Sequence, residues 1–256
     1  FIDLKFHMPW LGLAAALAVG ALLGLLLGLV CITFKARQGI AGIGLYMLGW
    51  GISGTLFRVY VGGPTPVTGI PALRLDLLRS VPWVGPVLAT LSPMDYVAFA
   101  LIPLSSYLLF RTSWGLKVRA VGTTPRAADT LGIDVSRVRY QCVILAGAFA
   151  GLAGAYLSVC SAKMFADNIT AGRGFIAVAL VYFGRWSPWG VAGGAVLFSI
   201  AAAAQRLIQF YGIKFPYELA LIVPYVLVIL VLALSPNRRR VEPAALGKPY
   251  DRENRG

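Results

Sequence analysis

Apolar positions in this chain come in long blocks separated by short polar intervals. Seven blocks stand out: Trp10–Phe34, Ile40–Phe57, Asp95–Phe110, Tyr140–Ser161, Thr170–Phe183, Pro188–Phe210 and Tyr217–Leu234. A helix needs about 20 apolar residues to cross a bilayer. It must also satisfy its own backbone groups there, because lipid offers them no partners. The first block would reach roughly 37 Å as a helix. The pattern predicts an all-α fold, a polytopic membrane helix bundle over residues 1–234, followed by a basic, disordered tail over 235–256. Thr170–Phe183 is short for an upright span and also reads as a broken or re-entrant helix buried in protein. The chain starts at Phe1, with no signal-peptide pattern after it, and reads as the middle of something longer whose first spans are missing.

The polar intervals set the orientation. Residues 111–139 carry Arg111, Lys117, Arg119, Arg126, Arg137 and Arg139, and the tail carries Arg238, Arg239, Arg240, Lys248, Arg252 and Arg255. The positive-inside rule puts both in the cytoplasm, which four intervening crossings allow. The loop with Lys35 and Arg37 then also lies inside, and the proline-bearing stretch 58–93 lies outside in spite of Arg58, Arg74 and Arg79.

Composition sharpens this picture. Hydrophobic residues make up 58% of the chain and charged ones 13%, about half the charged share of a soluble domain. The net charge of +13 sits between apolar blocks, so topology explains it better than nucleic acid does. Cys31, Cys142 and Cys160 lie in or beside apolar blocks without C-x-x-C spacing and read as packing residues. Glycines recur every four residues at Gly20, Gly24 and Gly28, and again at Gly147 and Gly151 with Gly154 beyond. Such ladders let helix backbones approach closely in lipid.

The missing chemistry is informative. All ten carboxylates lie in loops or near block ends, and His7 precedes the first block. Proton-coupled carriers place an ionisable group at membrane depth, and this chain offers none. It has no G-x-x-x-x-G-K-[ST] phosphate cradle, and one histidine cannot complete a nucleophilic triad. In GIAGIGLYMLG, 39–49, the dinucleotide spacing fails at Met47. A transport protein built this way needs its motive force from another chain. A standalone facilitator and a membrane-embedded scaffold or enzyme are the competing classes.

One polar stretch is more orderly than the rest. In TTPRAADTLGI, 123–133, Thr124 stands at an N-cap position, Pro125 at the first helical position and Gly132 at a stop. The sequence predicts a two-turn capped helix outside any span. Such a helix can dock in a groove of a soluble ATPase and pass rigid-body motion to the flanking spans. It can equally lie on the membrane, held by Lys117 and Arg119.

The wider stretch GLKVRAVGTTPRAADTLGIDVSRVR, 115–139, resembles the cytoplasmic loop of ABC-importer permeases in the branched-chain amino acid, simple-sugar and nucleoside group. The family pattern, roughly R-A-x-G-x-[NH]-P-x-A-A-x-x-x-G-I, is matched by Arg119, Ala120, Gly122, Pro125, Ala127, Ala128, Gly132 and Ile133. Thr124 departs from the usual Asn or His, and Arg126 stands where a leading Glu is common. NITAGRGFIAVALVYFGRWSPWG, 168–190, is similar to the second of the paired permeases of nucleoside importers.

The resemblance implies a fold like that of vitamin B12-type importers in the bacterial cytoplasmic membrane, and a chain that is not itself an enzyme. It implies half of a nucleoside pathway, with a simple-sugar permease as the alternative. It implies three partners: a second permease, a cytoplasmic ATP-binding subunit and an extracytoplasmic substrate-binding lipoprotein. No cofactor is expected on this chain; ATP and magnesium belong to the partner. Arg119, Gly122, Thr124, Pro125, Arg126, Ala127, Ala128, Asp129 and Gly132 are the expected coupling residues.

For the substrate path, a neutral nucleoside calls for hydrogen-bonding groups and an aromatic platform. Tyr46 and Trp50 in the second block, Asn168, Thr170 and Arg173 at the outer mouth, and Gln205 and Gln209 in the sixth block are the candidates. Each has a plainer reading as a packing, interfacial or turn residue. AGRG, 171–174, in particular reads as a tight turn before a helix.

Overall fold

The computed structural model describes residues 2–71, 90–210, 226 and 242–251, with the backbone alone described at 2, 4, 205, 206, 208 and 209. The elements are α1 (Ile2–Phe6), α2 (Pro9–Gly28), α3 (Gln38–Tyr60), α4 (Pro93–Arg111), α5 (Ser113–Thr123), α6 (Pro125–Thr130), α7 (Val135–Ala155), α8 (Arg173–Phe183) and α9 (Pro188–Phe210). Two short strands, β1 (Thr65–Pro66) and β2 (Met164–Phe165), pair antiparallel. α2 and α7 each continue as a turn of π-helix, over Leu29–Thr33 and Tyr156–Ser161. The fold is thus an all-α polytopic bundle, with four described helices long and apolar enough to cross a membrane: Pro9–Thr33, Gln38–Tyr60, Pro93–Arg111 and Val135–Ser161.

The chain divides into two compact units, residues 1–100, 112–171 and 244–256 in one and 101–111 and 172–243 in the other. The first is organised by α2 against α7. These helices run antiparallel with backbones touching at the glycine ladders. A Cβ added to Gly20 would strike the Gly147 carbonyl oxygen, and one added to Gly151 would strike that of Ala16. At Gly24 it would meet the Val143 carbonyl at 2.7 Å, and at Gly28 the Tyr140 ring at 2.8 Å. The register 16–151, 20–147, 24–143 and 28–140 steps by four along α2, so one narrow stripe makes the seam. Gly154 stands outside it, with nothing near its absent Cβ.

Each end of the seam has its own apolar cluster. Leu13, Ile70, Ala155 and Val159 close one end. The β1–β2 pairing and the tilted ring contact of Phe57 with Phe165, 5.6 Å apart, tie down the same side. There Asp95 accepts from the Tyr156 hydroxyl at 2.5 Å and from the Ser92 amide and hydroxyl at 2.7 and 2.8 Å, fastening the start of α4 to α7. Val121, Ala128, Val135 and Val138 close the other end, where the basic loop, the 34–37 turn and residues 242–251 gather. Most other apolar side chains of the spans are exposed, as expected of surfaces that meet lipid or another subunit.

In the second unit, α8 and α9 form a hairpin. Gly184 and Gly190 bring the two backbones into contact, and Gly194 lies against Phe183. α8 has 11 residues, about 16 Å, roughly half the hydrocarbon thickness. It is shorter than Thr170–Phe183 because Gly172, at φ +77°, turns the chain immediately before Arg173. The seventh block, Tyr217–Leu234, lies outside the described residues apart from position 226.

Candidate coupling site

The basic loop folds as a short helical relay. Thr112 caps α5, its hydroxyl accepting the Gly115 amide at 3.1 Å. Trp114 Nε1 donates to Gln141 Oε1 at 2.9 Å and fastens α5 to α7. Thr123 donates to the Arg119 and Ala120 carbonyls at the end of α5. The chain then turns at Thr124 into α6.

The two ends of α6 are closed differently. Pro125 is its first residue, where a missing N–H costs nothing. Thr124 occupies the N-cap position, but its side chain makes no cap hydrogen bond, which corrects the sequence reading. Its ψ of 76° falls far short of the extended 155° at which Thr112 does cap a helix. The C-terminus carries the burden instead. Gly132 has φ +81°, its amide donates to the Asp129 carbonyl at 2.9 Å, and the Ile133 amide donates to the Ala128 carbonyl at 3.0 Å. This is a complete Schellman motif, which needs a left-handed residue at the glycine. Asp134 then caps α7 by accepting the Arg137 amide at 2.9 Å.

The helix has an inner and an outer face. Ala128 is 2% exposed and rests on Val121, Val135 and Val138. Arg126, Ala127, Thr130 and Gly132 are exposed, and Leu131 is 81% exposed. Leu131 was absent from the expected coupling residues. Its signal was an apolar side chain directly before the glycine stop, out of phase with the inward Ala128. Arg119 is exposed on α5, Gly122 is half-buried near its end, and Asp129 points to the other side of α6, where it accepts from the Tyr250 hydroxyl at 3.0 Å. Beside that bond a cleft of about 610 Å³ opens between Gly132–Ser136, Lys35 and Asp251.

The expected substrate-path residues are less gathered. Tyr46 and Trp50, 51% and 55% exposed, stack one turn apart on α3 with ring centres 6.5 Å apart and planes 18° apart. Gly54 continues that stripe, and Asp167, not anticipated from sequence, lies 3.7 Å from where its Cβ would be. Asn168 and Thr170 follow in the same turn, both exposed, with Asn168 at φ +53°. Arg173 opens α8 in the other unit, and Ala171–Gly172 does form the tight turn read from AGRG. Gln205 and Gln209 lie on α9, and their side chains are outside the described residues.

A long apolar bundle with a capped helix between two spans narrows the identity, and comparison with known proteins decides it. The family described as branched-chain amino acid transport system / permease component matches residues 2–232. The chain belongs to that family. The permease is 35% identical to a guanosine ABC transporter permease protein, NupQ, of Bacillus subtilis, over 97% of this chain and 79% of the relative. It is 33% identical to a putative glucose ABC transporter permease protein of Haloferax volcanii, over 95% and 82% respectively. It is 32% identical to a nucleoside ABC transporter permease protein, NupC, of Lactococcus lactis, over 94% and 78%. No solved structure matches it. This permease is therefore a multi-pass membrane subunit of an ABC transporter.

Proposed function

We propose that this permease forms half of a nucleoside import pathway in a bacterial cytoplasmic membrane, working with a second permease, a cytoplasmic ATP-binding subunit and a substrate-binding lipoprotein outside. It performs no catalysis and binds no cofactor; ATP is hydrolysed with magnesium on the partner. The observation that carries the coupling role is α6, stapled inward by Ala128 and closed by the Gly132 cap, with Arg126, Ala127, Thr130 and Leu131 outward. Arg119, Gly122, Thr124, Pro125 and Asp129 complete the docking region. The names of NupQ and NupC support a nucleoside. The exposed Tyr46–Trp50 pair offers flat faces on which a base can stack. The Haloferax relative favours a second reading, a simple sugar. Asn168, Thr170, Arg173, Gln205 and Gln209 are the proposed polar contacts along the path.

Labelled uptake by the reconstituted complex, competed with a nucleoside and sugar panel, tests the substrate. Guanosine and related nucleosides should compete, and glucose should not; the reverse order replaces the nucleoside reading with the sugar one. Trp50→Ala should raise the KM for nucleoside at least about five-fold while leaving assembly intact, because base stacking is worth about 1–3 kcal/mol. An unchanged KM would remove Trp50 from the path.

A further inference from the structure

Part of the tail expected to be disordered is instead seated on the coupling site. Residues 244–247 form a turn, with Gly247 at φ +73°, and five separate contacts are made from Ala245 onward. The Ala245 amide donates to the Gly122 carbonyl at 3.0 Å, at the end of α5 where helix carbonyls lack intrahelical partners. The Lys248 carbonyl accepts from the Arg139 guanidinium at 3.0 Å, on the first turns of α7. The Tyr250 ring lies 5.9 Å from that guanidinium and packs on the cluster beneath α6. The Tyr250 hydroxyl donates to Asp129 on α6 itself. Asp251 pairs with Lys35 at 2.9 Å, in the turn between α2 and α3.

Those contacts touch α5, α6, α7 and the 34–37 turn. Each is modest, and the Lys35–Asp251 pair is partly exposed. Their common effect is geometric. Ala128 seats α6 on the cluster with Val135 and Val138 of α7, and Tyr250 adds a second hold through Asp129. A push on Leu131 or Arg126 then moves α2 and α3 together with α7 rather than tilting α6 by itself.

We infer that residues 242–251 form a positioning strap, in which Tyr250 and Asp251 lock the coupling helix to the turn between the first two spans and so set how much of a partner's motion reaches the pathway. This rests on the docking role proposed for α6. Tyr250 is a positioning residue and touches no substrate.

The test uses the full complex, reconstituted with its ATP-binding subunit, second permease and binding protein. Three variants are compared: deletion of 242–256, Tyr250→Phe and Gly132→Pro. The readouts are ATP-binding subunit retained on the tagged permease and nucleoside transported per ATP hydrolysed. The strap predicts that the deletion and Tyr250→Phe retain the ATP-binding subunit while transport per ATP falls at least about five-fold, the low end of typical coupling energies. Tyr250→Phe keeps the ring and removes the hydroxyl that donates to Asp129, and retention of the ATP-binding subunit by this variant checks that it is assembled. Unchanged transport per ATP in both variants overturns the strap, as does loss of the ATP-binding subunit on deletion, which would make the tail part of the dock. If Gly132→Pro retains the ATP-binding subunit at wild-type level, the docking role itself fails. If Gly132→Pro releases it while the strap variants transport normally, only the strap fails.

Discussion

Gly132→Pro is expected to release the ATP-binding subunit from an otherwise assembled permease pair. Proline fixes φ near −65°, whereas Gly132 sits at +81°. The substitution also deletes the amide that donates to the Asp129 carbonyl and disfavours the backbone of Leu131 before it, at φ −85° and ψ 7°. The Schellman closure cannot form, and a misplaced proline costs about 3 kcal/mol or more. At about 1.4 kcal/mol per ten-fold, that is about a hundred-fold loss in the population of closed α6. ATP-binding subunit recovered on a tagged permease should fall at least about ten-fold, allowing for partial rescue by the partner. Gly132→Asn, which tolerates the left-handed conformation, should retain most of it. Equal recovery with proline would mean that the shape of α6 does not matter to the partner.

Gly147→Leu should have the larger effect on the chain itself. Any side chain at 147 drives into the Gly20 carbonyl and the Gly24 backbone, so α2 and α7 must separate along the seam. Overpacking a tight contact costs about 1–3 kcal/mol even where side chains can give way, and here the obstacle is backbone. Monodisperse permease recovered in mild detergent should fall at least about ten-fold, a change of about 1.4 kcal/mol. Gly154→Leu supplies the contrast: it lies on the same helix with open space around it and should express as wild type. Similar recovery of both variants would refute the seam as the organising contact.

The glycine pair shows how far sequence reaches. A four-residue ladder announces a close helix contact, and Gly154, three residues beyond Gly151, falls off both the ladder and the contact. Block boundaries were legible to within a few residues where hydropathy changes sharply. α7 is the exception: it starts at Val135 instead of Tyr140, because Asp134 caps it before the apolar run begins. The stop of α6 was legible because a left-handed position demands glycine. Its start was read as a threonine cap, and local sequence could not report that ψ at Thr124 turns the hydroxyl away. The seat of Tyr250 was illegible for a different reason. Its partner Asp129 is 121 positions away, and nothing periodic connects them. The Tyr46–Trp50 stack was readable as one helix face, whereas Asp167 reached that face through the chain's return beside β2.

A single cysteine tests most directly whether α6 meets an ATP-hydrolysing subunit. Leu131→Cys, in a chain with Cys31, Cys142 and Cys160 replaced, places a thiol at an 81% exposed position at the end of the helix. In the reconstituted complex a short bifunctional maleimide should join that position to the ATP-binding subunit and protect it from membrane-impermeant reagents added outside. Labelling from outside, or crosslinks to lipid alone with none to the ATP-binding subunit, would contradict the account.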